Sequence, residues 1–121
     1  MIEVLSSAQC DLLFAEIPAG ILVEDGAGRV VLINEHFHSM FRFPDAATAY
    51  VGQSSVDVFA AAAANTFLDP AGFLRGVAEL QERRATVLRE PFTTVDDRSL
   101  ERDVRPVTGD DGHDGFVWVF R

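Results

Sequence analysis

The last segment of the chain limits the fold more than any other feature. Residues 115–120 read GFVWVF, in which Val117 and Val119 alternate with three aromatic side chains. Successive side chains of a β-strand point to opposite faces of the sheet, so this strand is apolar on both faces. Such a strand is predicted to lie in the middle of a sheet, with other structure covering both of its faces.

Four other segments have the composition of strands. Two apolar runs, GILVE and RVVLIN, flank DGAG at residues 25–28, which is typical of a tight hairpin turn. REPFTTV and RSLERDVRPV precede the final strand and predict a three-stranded antiparallel meander with it. A phosphate-binding loop is disfavoured at DGAG because a strand, and not a helix, follows the glycines.

Helical patterns fill the middle of the chain. Phe37, Met40 and Phe41 share one face of a short helix, since they recur at helical spacing. Residues 54–67 predict an Ala-rich helix. The clearest helix lies within residues 69–85, because an Asp-Pro pair at its start supplies an N-cap and a favourable first turn.

The order of hairpin, helices and meander predicts an α+β fold with one five-stranded antiparallel sheet. Short helices are expected on one face of the sheet and an N-terminal helix on the other. We divide the chain into a capping or dimerisation helix at 1–19 and a domain at 20–121. Leu5 and Leu12 have a spacing that suits packing against a second copy. A helix that lies on its own domain fits the pattern equally well.

Composition excludes several classes of function. Ten basic residues, all of them Arg, stand against 19 acidic ones and give a formal charge of −9. This charge repels nucleic acid and anionic lipid, so neither is an expected partner. The absence of Lys excludes Schiff-base and Ser-Lys chemistry. Cys10 is the single cysteine, which excludes an intrachain disulfide and favours a reducing, cytoplasmic location.

No metal or catalytic site is predicted. His36 and His38 point about 200° apart on a regular helix, so they cannot both bind one ion. GDDGHDG at 109–115 lacks the twelfth-position Glu and the flanking helices of an EF-hand calcium loop. No candidate nucleophile has an evident base beside it, and we name no catalytic residue.

The ordered series of segments resembles the PAS family of sensor domains over residues 17–121. GILVEDGAGRVVLIN is similar to the first hairpin of that family, with Asn34 opening the next helix, and NEHFHSMFRFP is similar to its first helix. VGQS resembles the glycine step that follows, and VDDRSLERDVRPVTGDDGHDGFVWVFR the closing meander. Asp97 departs from the pattern, because relatives often carry Gly there. His36 and His38 stand where relatives often have small residues.

The resemblance implies a cleft between sheet and helices that holds a small ligand or a cofactor. A simple place in the core is the alternative for each lining residue. Haem-binding relatives take a His from the long helix, which has none here, and flavin-bonding relatives use a Cys in the helical segment, whereas Cys10 lies far upstream. Haem and covalently bound flavin are therefore disfavoured, and the cofactor is left unknown. The expected lining residues are Phe37, Phe41, Phe59, Phe73, Val77, Phe92 and Val117.

Arg102 is the sharpest candidate for a binding residue. It shares strand parity with Leu100 and Val104, so it is predicted to point toward the apolar side of the sheet. An unpaired guanidinium is costly there, and an anionic ligand would neutralise it. Pairing with an acidic side chain, or extension of the head group to water, are the alternatives.

Three functions follow. The first is a sensory module of signal transduction, as in two-component regulation, that binds a small molecule and relays its occupancy to an output domain elsewhere in the parent protein. The second is a ligand-free module that acts through homodimerisation, by Leu5, Leu12 and the outward sheet face bearing Trp118. The third is a small α+β isomerase or dehydratase with Asp57 or Asp103 as base in an apolar pocket. The leading hairpin disfavours the enzyme, and we expect none.

Overall fold

The computed structural model describes residues 18–108 and 114–121. The expected N-terminal helix, with Leu5, Cys10 and Leu12, lies outside the described residues, as does most of the GDDGHDG segment. The described elements follow the predicted order of hairpin, helices and meander. They are β1 (Gly20–Glu24), β2 (Val30–Ile33), α1 (Glu35–Met40), a 3-10 helix (Ala47–Tyr50), α2 (Ser55–Ala64), α3 (Pro70–Arg83), β3 (Val87–Thr93), β4 (Ser99–Thr108) and β5 (Asp114–Phe120).

The five strands form one antiparallel sheet in the order β2-β1-β5-β4-β3. The last strand, β5, therefore lies in the middle of the sheet, as its two apolar faces predict. It pairs with β1 on one side and with β4 on the other. The predicted five-stranded antiparallel α+β fold is confirmed.

Local hydrogen bonds explain why the hairpin and the first helix form where they do. In the β1–β2 turn, Asp25 Oδ1 accepts from the backbone N–H of Ala27 at 2.9 Å and of Arg29 at 3.0 Å. Gly28 has a φ of +76°, which an L side chain rarely adopts. Asn34 then caps α1, because its Oδ1 accepts from the backbone N–H of Phe37 at 3.0 Å.

The third helix begins at the predicted position. Asp69 is the N-cap of α3, and its Oδ1 accepts from the backbone N–H of Gly72 at 3.0 Å. Pro70 occupies the first turn, where a missing N–H costs nothing. The apolar face of α3 then buries Phe73 and Val77 against the sheet.

A cluster of aromatic rings fills the space between the helices and the sheet. Phe37 lies 4.7 Å from Phe41, and Phe41 lies 5.3 Å from Phe120 on the central strand. Farther along the same strand, Phe59 of α2 lies 4.9 Å from the Trp118 ring. Such edge and tilted contacts are the favoured geometries of aromatic pairs, so the cluster fixes the helices on this face.

The two faces of β5 are the reverse of those predicted. Trp118 is 0% exposed and faces the helices, so its predicted place on the outward dimerisation face is wrong. Val117 lies on the opposite face, opposite Val23 of β1, so its predicted place in the cleft lining is wrong as well. The reason is volume, because only the large rings reach across the space between the sheet and the helices.

Candidate functional site

The buried polar site centres on Arg102 in β4. Arg102 is 1% exposed, and it shares the inner face of the sheet with Leu100 and Val104, which are also buried. The predicted orientation of Arg102 toward the apolar side is therefore confirmed. The sequence signal was strand parity alone, and the pairing register of β4 keeps that parity along the whole strand.

An ion pair partly neutralises Arg102. Glu90 of β3 lies directly opposite in the register, and Arg102 Nη2 donates to Glu90 Oε1. This is the acidic pairing that the sequence left open. Three aromatic rings surround the guanidinium, whose central carbon lies 4.7 Å from Phe92, 5.3 Å from Phe73 and 5.6 Å from Trp118. These distances are those of cation–π contacts, which favour the charged form.

The hydrogen-bonding capacity of Arg102 is only partly used. Its Nε and Nη1 atoms are buried and have no hydrogen-bond partner among residues 18–108 and 114–121. These two nitrogens carry three of the five N–H donors of a guanidinium. Burial lowers the pKa of Arg102, and the Glu90 carboxylate acts in the opposite direction. Buried donors without acceptors are uncommon in folded proteins. Glu90 alone therefore does not satisfy the hydrogen-bond donors of this guanidinium.

A cavity lies against the same rings. It has a volume of about 370 Å³ and is lined by residues 67–69, 72–73 and 91–93, at the start of α3 and on the edge strand β3. Phe73 and Phe92 line this cavity and also contact the guanidinium of Arg102. The two rings therefore separate the cavity from the guanidinium of Arg102, with the cavity on one side and the guanidinium on the other.

A second buried charge lies at the other end of the inner face. Glu24 is 2% exposed, and its Oε1 accepts from Trp118 Nε1 and from Gln81 Nε2, both at 3.0 Å. Its Oε2 accepts from Gln81 Nε2 at 3.1 Å. Sequence reasoning missed this residue, although Glu24 shares parity with Leu22 and so points inward. A cavity of about 450 Å³ adjoins Glu24. It lies between the β1–β2 turn, the start of α2 and the end of α3.

The predicted lining residues separate into two groups. Phe73 and Phe92 line the cavity beside Arg102. The others on the inner face are buried in the core and line neither cavity; they are Phe37, Phe41, Phe59 and Val77. A ligand-binding role for any of these side chains stays a prediction.

The two carboxylates named for the enzyme alternative do not lie in an apolar pocket. Asp57 is exposed on α2. Asp103 lies on the outer sheet face, where its Oδ2 is 2.5 Å from Arg121 Nη2 and its Oδ1 accepts from the backbone N–H of Arg89 at 2.8 Å. The hydrogen bond from Arg121 lowers the pKa of Asp103, whereas a buried general base needs a raised one.

Within residues 18–108 and 114–121, no three His, Cys, Asp or Glu side chains are placed to hold a metal ion. His36 is exposed, and His38 Nδ1 lies 3.8 Å from Glu35 Oε2. None of the helices in this part of the chain is long and apolar enough to cross a membrane.

Comparison with known proteins identifies the family. The family model described as the PAS fold matches residues 14–121, so the chain belongs to the PAS family. PAS domains are generally sensory and non-enzymatic modules of signalling proteins. A search of curated proteins gives no match.

Solved structures share the fold at low sequence identity. The E. coli DhaR(N)–DhaL complex matches 94% of this chain and 34% of its own chain, with a TM-score of 0.66 and 14% identity. The Vibrio cholerae VqmA dimer matches 98% of this chain and 51% of its own, with a TM-score of 0.64 and 17% identity. The PAS domain of Bordetella pertussis BvgS matches 92% and 81%, with a TM-score of 0.59 and 23% identity. The chain thus spans about a third of the first of these and about half of the second.

Proposed function

We propose that this PAS domain senses a small molecule that binds between α3 and β3 and relays its occupancy to an output domain of a larger signalling protein. One observation carries the proposal: the cavity of about 370 Å³ shares its wall of Phe73 and Phe92 with the partly satisfied guanidinium of Arg102. Apolar walls with few polar groups are typical of small-molecule sites. The volume is within the usual range for such sites.

The contacts of Arg102 supply a route for the relay. Its guanidinium contacts one ring on each of α3, β3 and β5, so a ligand that displaces Phe73 or Phe92 also changes the surroundings of Trp118. The Trp118 indole in turn donates to Glu24 of β1. A change at the cavity therefore reaches the centre of the sheet through direct contacts. The matched chains of the DhaR(N)–DhaL complex and of VqmA are longer than this chain, which supports a role as one part of a larger protein.

The sensing proposal is tested by searching for a ligand of the wild-type chain. Native mass spectrometry of the purified protein and thermal-shift screening against metabolite pools should reveal a small molecule, since a ligand that binds only the folded state raises the melting temperature. Phe92→Ala removes one of the two rings that form the cavity wall and should abolish the shift. Val95→Ala, at an exposed position outside the cavity, should leave it intact. A shift that survives Phe92→Ala would place the ligand elsewhere.

Homodimerisation is a second candidate function. Val117 and Val119 lie on the outer sheet face and are partly exposed, which leaves apolar surface on that side. Sedimentation of the wild type and of Leu12→Asp tests it, with a dimer expected for the wild type and a monomer for the variant. A monomer in both would count against the interface. The cytoplasmic location and the absence of haem or covalently bound flavin stay predictions.

A further inference from the structure

We infer that the ligand of this domain carries a single carboxylate on a small apolar body, and that Glu90 occupies the place of that carboxylate when no ligand is bound. The inference rests on the proposed function and names the chemical class of the ligand. It starts from the contrast within the ion pair: Arg102 is 1% exposed, whereas the Glu90 side chain is 38% exposed. One partner is fixed in the core and the other reaches water.

The position of Glu90 in the sheet makes it the partner that can leave. It belongs to β3, which is an edge strand of the five-stranded sheet, so among the described strands its backbone pairs with β4 alone. The pairing of β3 with β4 is irregular between Val87 and Glu90, and Arg89 has a φ of +58°, which is unusual for a residue with a side chain. Outward rotation of Glu90 places its carboxylate in water, and the guanidinium keeps a counter-charge when a ligand anion takes the place of Glu90. The guanidinium of Arg102 has no such route, because three rings enclose it.

The unmet hydrogen bonds select an anion. Nε and Nη1 of Arg102 are buried donors for which the described part of the chain offers no acceptor. A carboxylate supplies two acceptor oxygens in the plane that a guanidinium prefers. A ligand carboxylate that replaces Glu90 can therefore accept donors that Glu90 leaves unused. The charge count favours a monoanion, since one guanidinium neutralises one negative charge and the chain already carries a formal charge of −9.

The aromatic wall of the cavity favours an apolar group on the part of the ligand that carries no charge. Phe73 is buried and Phe92 is only partly buried, so rotation of the Phe92 ring opens the cavity toward the guanidinium. An apolar or aromatic body then packs against the two rings, with its carboxylate beyond them at Arg102. Benzoate has this combination of a ring and one carboxylate, and benzyl alcohol is its uncharged counterpart of similar shape. The pair therefore separates the effect of charge from the effect of the cavity.

The test measures the affinity of both probes for the full chain and two variants. Trp118 is the single tryptophan, and its ring lies 5.6 Å from the guanidinium carbon, so its fluorescence reports on the site. Wild type should bind benzoate at least about tenfold more tightly than benzyl alcohol, as expected for a charge-assisted hydrogen bond. Glu90→Gln should bind benzoate about tenfold more tightly than the wild type does, because the competing carboxylate is gone. The affinity for benzyl alcohol should be the same in both. Arg102→Met should abolish the preference for benzoate.

The possible results separate this inference from the proposed function. If both probes bind the wild type with equal affinity, or if Glu90→Gln leaves benzoate binding unchanged, the carboxylate assignment is wrong and the cavity remains a binding site. If benzoate binds neither the wild type nor Glu90→Gln, the assignment is also wrong. The proposed function fails separately, when no compound gives a thermal shift that Phe92→Ala abolishes. Circular dichroism of each variant verifies its fold, and Glu90→Gln decides the matter if Arg102→Met does not fold.

Discussion

Two buried charges occupy opposite ends of the inner sheet face, and they are held in different ways. Arg102 is 1% exposed and Glu24 is 2% exposed, and both contact Trp118. Both oxygens of Glu24 accept hydrogen bonds, from the neutral donors of Trp118 and Gln81. Arg102 has a charged partner in Glu90, yet two of its three nitrogens find no acceptor within the residues that the structure describes.

The comparison indicates that burial alone does not mark a binding site. The larger cavity adjoins Glu24, and each of the two Glu24 oxygens accepts at least one hydrogen bond. The smaller cavity adjoins Arg102, whose hydrogen bonds are incomplete. A satisfied buried charge fixes structure, whereas an unsatisfied one has a residual affinity for a ligand. This contrast is consistent with a structural role for Glu24 and with the proposed binding role of Arg102.

Removal of the Glu24 carboxylate should have the largest effect on stability. Glu24→Ala leaves the indole N–H of Trp118 without its acceptor, leaves Gln81 Nε2 with only Ser55 Oγ at 3.4 Å, and creates a void in the core. The free energy of unfolding should fall by about 2 to 5 kcal/mol. Chemical denaturation at neutral pH measures it. Glu82→Ala, an exposed position that lines the same cavity, is the control and should change stability by less than about 0.5 kcal/mol. Equal effects of the two variants would contradict the structural role of Glu24.

Removal of the counter-charge of Arg102 should have the next largest effect. Glu90→Gln keeps the length of the side chain but leaves the buried guanidinium without its anion, so the free energy of unfolding should fall by about 1 to 3 kcal/mol. Adding Arg102→Met to Glu90→Gln should recover the loss, since an apolar side chain suits the ring cage. Denaturation of the four members of this double-mutant cycle measures the coupling. Additive effects would mean that the pair is not coupled.

A smaller effect is expected where α3 passes Arg102. Gly76 lies inside α3, and a Cβ built on it would lie 3.8 Å from Arg102 Nη2, an ordinary contact distance. Gly76→Ala should therefore fit and raise stability by about 0.5 to 1 kcal/mol, through the higher helix propensity of Ala. The melting temperature measures it. A large loss instead would indicate that the backbone of α3 must lie closer to the guanidinium.

The smallest effect concerns an acidic group outside both buried sites. Hydrogen bonds from Thr94 and Arg98 lower the pKa of Asp96 from 3.8 to about 2. Because this pKa is lower in the folded state, the carboxylate stabilises the fold above about pH 4, and the contribution is lost as the pH falls through 2. Asp96→Asn should flatten the dependence of stability on pH between 4 and 2, with the exposed Asp45→Asn as the matched control. Denaturation at stepped pH values measures this slope, and an unchanged slope would contradict the assignment.

Tertiary contacts between distant residues explain what sequence reasoning missed. Glu24 and Trp118 are 94 positions apart, and Glu24 and Gln81 are 57 apart, so no local pattern joins them. Strand parity predicts that Arg102 lies on the inner face. Its pairing with Glu90, however, depends on the register between β3 and β4. That register contains an irregularity, which shifts one strand against the other and is not visible in the composition of either.

The sequence by itself determined the features that depend on neighbouring residues. The Asp25 turn, the Asn34 and Asp69 caps and the helical stripe at Phe37 and Phe41 follow from hydrogen bonds and periodicities within a few residues. The tertiary structure alone decided which face of β5 looks inward. Because both faces of that strand are apolar, hydrophobicity could not separate Trp118 from Val117. Only the packed volume between helices and sheet, and the pairing of strands distant in the chain, could make that choice.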